Sequence, residues 1–133
     1  MNPSEIKILI VEDEPDTAEM FAEMMRMNGY QIFKAYNGAS AVALITEEKP
    51  AAVVLDLMMP DLSGLDVLRY VRGDEALARI PIIVVSAKSL PSDIKDGLEA
   101  GASVYLTKPV GYLDLKAAVE NAIREAGMKT AGD

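Results

Sequence analysis

Short aliphatic runs alternate along this chain with stretches whose apolar positions recur at helical spacing. Lys7–Val11, Tyr30–Ala35, Val53–Leu55, Ile80–Val85 and Val104–Thr107 are compact, and all but the second are rich in β-branched and aliphatic residues, the signature of strands. Between them, Pro15–Met27 carries Ala18, Phe21 and Met24 or Met25 on one face, and Gly38–Glu48 carries Ala39, Val42, Ala43 and Ile45. A third helix is marked by Leu65, Leu68 and Val71, a fourth spans Pro91–Ala100, and a fifth, Tyr112–Ala126, repeats Leu115, Val119, Ala122 and Ile123. The punctuation agrees. Pro15 suits a first helical position, and Asn28-Gly29, Pro50, Gly73 and Gly101 are stops. Ile94 and Leu98 give the fourth helix a thin apolar face, so low local stability is expected there. The methionines of the first helix, Met20, Met24, Met25 and Met27, read as core or half-buried gap fillers.

Strands that are apolar throughout need cover on both faces, which a parallel sheet between helical layers supplies. Strictly alternating strands and helices then give an α/β fold, a doubly wound five-stranded parallel sheet of the flavodoxin-like type in the order 2-1-3-4-5, flanked by five helices. One domain is expected over residues 6–126, with an N-terminal tail at 1–5 and a flexible tail at 127–133. Asp74–Arg79 reads as a polar link.

Composition narrows the chemistry. The 133 residues include no cysteine and no histidine, which removes disulfides, thiolate catalysis, imidazole ligands and a phosphohistidine on this chain. A net charge of -8 disfavours nucleic acid and anionic membranes as partners. No apolar run suffices to cross a bilayer, and a cytoplasmic protein is expected. Carboxylates, hydroxyls and lysines remain.

Those groups stand at the carboxyl ends of the strands, where such sheets gather ligands and chemistry. The first strand ends in Glu12 and Asp13, the third in Asp56, the fourth in Ser86 and the fifth in Lys108. If strands one and three are neighbours, three carboxylates converge and need positive charge among them. A hard divalent cation such as Mg²⁺ suits oxygen-only ligands, and Lys108 can reach an oxyanion. Carboxylates, a metal, a lysine and a hydroxyl are what phosphoryl transfer to Asp56 requires.

The chain resembles the receiver domains of the response-regulator family of two-component signalling, of the chemotaxis-regulator-like kind. Glu12-Asp13, the segment Asp56-Leu-Met-Met-Pro-Asp61-Leu-Ser-Gly64, Ser86-Ala87 and Lys108-Pro109 carry the resemblance. It implies a phosphoprotein that is not an enzyme in the ordinary sense: Asp56 accepts a phosphoryl group from a histidine kinase or phosphotransfer protein, and the domain assists its own phosphorylation and dephosphorylation. Further implications are Mg²⁺ on Asp13, Asp56 and the backbone carbonyl of Met58, help from Glu12 through water, and a cis peptide before Pro109. Ser86 and Tyr105 match the family switch, while Met58 and Lys88 match positions that tune the lifetime of the aspartyl phosphate. Output would pass to a target protein through the last two helices and the fifth strand, or to a domain fused in a longer regulator or hybrid kinase. Val110 stands where many relatives have phenylalanine, and Ser86 replaces the commoner threonine. Asp61 reads as the cap of the helix that follows it.

Two other classes compete. A flavodoxin-like nucleotide or flavin binder needs a hydroxyl- or glycine-rich phosphate loop after the first strand, where this chain has Glu12-Asp13-Glu14. A haloacid-dehalogenase-like phosphatase carries a general acid two residues past its nucleophile, where this chain has Met58.

Overall fold

The computed structural model describes residues 2–132, with side chains as far as Gly127. Strands β1 (Lys7–Val11), β2 (Gln31–Ala35), β3 (Ala52–Leu55), β4 (Ile82–Ser86) and β5 (Val104–Thr107) form one parallel sheet in the order β2-β1-β3-β4-β5. Helices α1 (Pro15–Arg26), α2 (Gly38–Glu48), α3 (Gly64–Gly73), α4 (Pro91–Glu99) and α5 (Tyr112–Gly132) alternate with the strands. Successive strand residues point to opposite faces, so each strand feeds two cores. Ile8, Ile10 and Val54 pack with Phe21, Met25, Leu115 and Val119 under α1 and α5. Leu9, Val11, Val53 and Leu55 pack with Ile45, Val67, Leu68 and Val71 under α2 and α3.

Register decides which residues share the top edge. Val11 pairs with both Ala35 and Leu55, Leu55 with Val84, and Ser86 with Thr107. The residues following Val11, Leu55 and Thr107 therefore emerge side by side, next to Ser86.

Several local expectations needed correction. β4 starts at Ile82, two positions after the expected Ile80, because Ile80 N–H turns back to the Leu77 carbonyl and Pro81 has no N–H for the ladder. The link at 74–79 is not wholly polar: Leu77 is buried in the α2/α3 core. Arg72 secures that link. Its guanidinium donates to the carbonyls of Ala78, Ile80 and Gly101 at 3.0, 2.7 and 2.9 Å, binding the end of α3 to the turn before β5. Of the α1 methionines, Met25 is buried and Met24 packs at the core edge, but Met20 and Met27 are 46% and 70% exposed, since they fall outside the inward stripe. Helix α5 continues past Ala126, because one glycine costs only about 1 kcal/mol in a run of good helix formers. The side chains expected to form a flexible tail beyond Gly127 lie outside the described residues.

Gly97 is the one buried residue of α4, and Leu98 is 48% exposed. Amides of Ile94–Leu98 are expected to exchange with solvent at least about a hundredfold faster than those of Val53–Leu55, a contrast that native-state hydrogen exchange reads directly. Equal protection would refute the reading of α4 as a weakly held element.

Candidate functional site

The site is assembled by the loops that leave β1, β3, β4 and β5. Glu12 N–H donates to the Ala35 carbonyl at 3.0 Å and Asp56 N–H to the Val11 carbonyl at 3.0 Å, so the sheet ladder extends to the two acids themselves. Glu12 is 2% exposed and Asp56 6%, while Asp13 is exposed. Carboxylate oxygens of all three lie within 4.8 Å of one another. From the far side of the cluster, Lys108 Nζ reaches Glu12 Oε1 at 2.6 Å and Asp56 Oδ2 at 3.1 Å. Its backbone N–H donates to the Ser86 carbonyl at 2.9 Å, and the Lys108–Pro109 peptide is cis.

Three acids around one ammonium cannot all ionise cheaply. Burial pushes the Glu12 carboxyl up, the hydrogen bond from Lys108 opposes this, and the Asp56 charge adds to the rise, leaving it at about 7. Burial pulls the Lys108 ammonium down, but Glu12 and Asp56 outweigh it and hold it above the ordinary lysine value. The donors are all oxygen, mostly buried and acidic in excess, a set that fits a hard divalent cation of the Mg²⁺ kind.

The sign of the pH dependence follows. Between about 4.5 and about 7 the folded chain holds a Glu12 proton that the unfolded chain has released, so this group's contribution to stability falls as pH rises through that window. Without added cation, Glu12→Gln is therefore expected to lose less stability than the native chain between pH 5 and pH 8. Urea unfolding at both values checks this, and an equal loss would show that Glu12 titrates normally.

The remaining candidates surround the cluster. Ser86 is fully buried, and its Oγ accepts the Lys88 N–H at 3.1 Å. Tyr105 is half-buried, and its hydroxyl donates to the Lys88 carbonyl at 2.7 Å. Met58 N–H donates to Asp56 Oδ1 at 3.0 Å, with the methionine side chain 51% exposed. Asp13, Met58 and Lys88 flank an open groove of about 470 Å³ beside Asp56.

Asp61 does not cap α3, as its position in the sequence suggests. Ser63 takes that place, with its Oγ accepting the Asp66 N–H at 3.3 Å and donating to the Asp66 carboxylate at 3.1 Å. Asp61 reaches across to α2 instead, accepting the N–H of Gly38 at 2.9 Å and of Ala39 at 3.2 Å. The signal was legible: a serine three residues before an aspartate is itself a cap pattern, which leaves Asp61 for another partner. The glycines at 64 and 97 each admit a close contact. A Cβ at Gly64 would lie 2.5 Å from Leu57 Cα and 2.6 Å from the Asp56 carbonyl oxygen, and one at Gly97 would lie 2.7 Å from the Tyr105 ring. Such close approaches of a loop or helix to its neighbour in the chain leave no periodic trace in a sequence.

A doubly wound parallel sheet with an acidic cluster and one lysine at its winding reversal defines the class. The family described as the response regulator receiver domain matches residues 8–120, and the chain belongs to it. It is 40% identical over 104 residues to protein PilH of Pseudomonas aeruginosa, covering 78% of this chain and 86% of PilH. It is 37% identical over 125 residues to a probable transcriptional regulatory protein, TcrX, of Mycobacterium tuberculosis, covering 94% of this chain but 53% of TcrX. The chain thus spans about half the length of the transcriptional regulators it matches. Among solved structures it superposes on the receiver domain of a Pseudomonas aeruginosa sensor histidine kinase, described with magnesium ion coordinated in the active site cleft, with TM-score 0.82, 31% identity, and coverage of 89% and 97% of the two chains. A signal receiver domain of a LuxO-type repressor from Vibrio parahaemolyticus gives TM-score 0.88 at 26% identity, with 96% and 97% covered. No helix among the described residues is long and apolar enough to cross a membrane.

Proposed function

We propose that the domain is a phosphorylation-controlled switch in which Asp56 accepts a phosphoryl group from the phosphohistidine of a kinase or phosphotransfer protein. The observation that carries this reading is the pairing of a buried aspartate with Lys108 Nζ, 3.1 Å from Oδ2, inside an acid cluster suited to a cation. In the transfer, an Asp56 carboxylate oxygen attacks phosphorus, the new P–O bond forms, and the P–N bond breaks with its electron pair passing to the departing imidazole. Asp13, Asp56 and the Met58 carbonyl are the groups that would hold Mg²⁺, with Glu12 helping through water, and the ion would supply positive charge to offset the carboxylates and the phosphoryl group. Lys108 stays within reach of both acids and takes up charge on the transferring group, and the Ser86 hydroxyl adds a neutral donor. Little proton movement is needed, which suits a chain without histidine.

The same reading assigns the output. The Lys88 carbonyl, two residues after Ser86, is where the Tyr105 hydroxyl is held, and the Tyr105 ring rests on Gly97 of α4. A shift of Ser86 toward a phosphoryl group would pull on this loop and alter how α4 and β5 present themselves beside α5. The match to about half of longer transcriptional regulators supports a second form of output, a fused effector domain in a longer parent chain. The domain acts as a phosphoacceptor and binding module, with protein partners in place of a turned-over substrate. Intact-mass spectrometry after incubation with acetyl phosphate tests the proposal: a single phosphoryl adduct that requires Mg²⁺ is expected, and failure to form one with Mg²⁺ bound would overturn it.

A further inference from the structure

The loop from Leu57 to Ser63, which carries the Met58 carbonyl, packs Leu57, Met59 and Leu62 against the α2/α3 core, but few hydrogen bonds tie it to the body of the domain. At its start, Met58 N–H is bonded to Asp56 Oδ1 at 3.0 Å. At its end, Gly64 N–H donates to the Leu57 carbonyl at 3.0 Å, and the absent side chain of Gly64 lets the two strands of the loop close. The middle, Met59-Pro60-Asp61-Leu62, is tied down from outside. Asp61 Oδ1 and Oδ2 take the N–H groups of Gly38 and Ala39, the first two residues of α2. Leu62 presses on the same turn so closely that a Cβ at Gly38 would lie 2.4 Å from Leu62 Cβ and 2.7 Å from its carbonyl oxygen.

The first turn of α2 is fully accounted for. Its N-terminal donors go to Asp61 from Gly38 and Ala39, to Asn37 Oδ1 from Ser40 at 2.8 Å, and to the Asn37 carbonyl from Ala41 at 3.0 Å. Asn37 is a local cap of the ordinary kind. Asp61, 23 residues from Gly38 in sequence, has no comparable local reason to serve there. Its bonds do for the loop what they do for the helix: they give a directional polar tie to a segment otherwise held by its two ends and by the apolar packing of Met59 and Leu62. The positive end of the α2 dipole adds an attraction for the carboxylate, and these N–H groups, that of Gly38 foremost, hold the Asp61 carboxyl below its usual range.

We infer that Asp61 is a positioning residue for the phosphoryl site: by docking the loop onto α2 it places the Met58 carbonyl, and so sets Mg²⁺ affinity and the rate of phosphoryl uptake without touching either. The inference rests on the proposed function for its consequence but on the loop geometry for its cause. A supporting partner one step removed from a metal's ligands commonly changes affinity by about tenfold or more.

The test compares Asp61→Ala, Asp61→Asn and Asn37→Ala in the full chain. Mg²⁺ binding is followed by calorimetry, amide exchange at Met58 and Gly38 by NMR, and the unfolding midpoint by circular dichroism. Asp61→Ala is expected to weaken Mg²⁺ about tenfold and to speed exchange at both amides. Asp61→Asn keeps one acceptor and should fall between. Asn37→Ala removes the other cap of the same turn and should leave Mg²⁺ affinity within about twofold of native, since no loop contact is lost. Unchanged Mg²⁺ affinity in Asp61→Ala, or equal weakening in Asp61→Ala and Asn37→Ala, would overturn the inference, the latter because helix stability alone would then explain it. Should the native chain bind no Mg²⁺, the proposed function falls, and exchange at Met58 decides the tether by itself: faster in Asp61→Ala upholds it, unchanged refutes it.

Discussion

Asp56→Asn takes up no phosphoryl group from acetyl phosphate under conditions in which the native chain gains one, and it remains folded. The carboxamide keeps the shape of the carboxylate and can still accept the Met58 N–H, bonded at 3.0 Å in the native chain, but it is not a nucleophile toward phosphorus. Two opposing effects bear on stability. The substitution loses the contact to Lys108 Nζ at 3.1 Å, yet it removes one of three crowded negative charges and leaves Lys108 its shorter bond to Glu12 at 2.6 Å. Relief of repulsion wins because the cluster holds more acids than cations. The unfolding midpoint should therefore equal or exceed the native value, which separates lost chemistry from lost structure. Intact mass and thermal unfolding together decide it. An adduct persisting in Asp56→Asn would move the acceptor elsewhere, with Glu12 and Asp13 the alternatives in the same cluster.

Lys108→Ala carries the second large effect, and here chemistry and stability fall together. Losing one preorganised charge aimed at a developing oxyanion commonly costs about two to three orders of magnitude in rate, so phosphoryl uptake at saturating Mg²⁺ should drop by at least about a hundredfold. The ammonium is also the cation that touches Glu12 and Asp56, at 2.6 and 3.1 Å. Breaking a fully buried pair typically costs about 3 to 5 kcal/mol, but a quarter of the Lys108 side chain meets solvent, at 26% exposure, and about 2 kcal/mol at pH 8 is the better expectation. At pH 5.5 Glu12 keeps its proton, one negative charge disappears, and the deficit should shrink. Urea unfolding at both pH values measures this. A deficit that grew on acidification would mean the cluster is not the source.

The strands and their order were readable because continuous apolar runs such as Val53-Val54-Leu55 admit few other environments. Once the order was fixed, convergence of Glu12, Asp56, Ser86 and Lys108 followed from their places at strand ends, and register made it concrete. Contacts between segments with no shared period were not readable. Asp61 seeks donors on α2, Arg72 gathers three carbonyls from two loops, and Gly97 exists to admit the Tyr105 ring; each answers to tertiary placement, which the local pattern does not encode. Met20 and Met27 show the converse, apolar by type yet outward by helical phase. The extension of α5 through Gly127 reflects summed propensity overriding a single stop signal.

The alternation of strand side chains between two cores makes the sheet a party wall. Residues under α1 and α5 and residues under α2 and α3 meet across backbone, with few side chains in common. A new recognition surface can be cut into the outside of one room while the furniture of the other stays in place. The acids and the lysine sit on the sill that both rooms share, so one chemical event at that edge is felt on either side, whichever of them a partner has come to occupy.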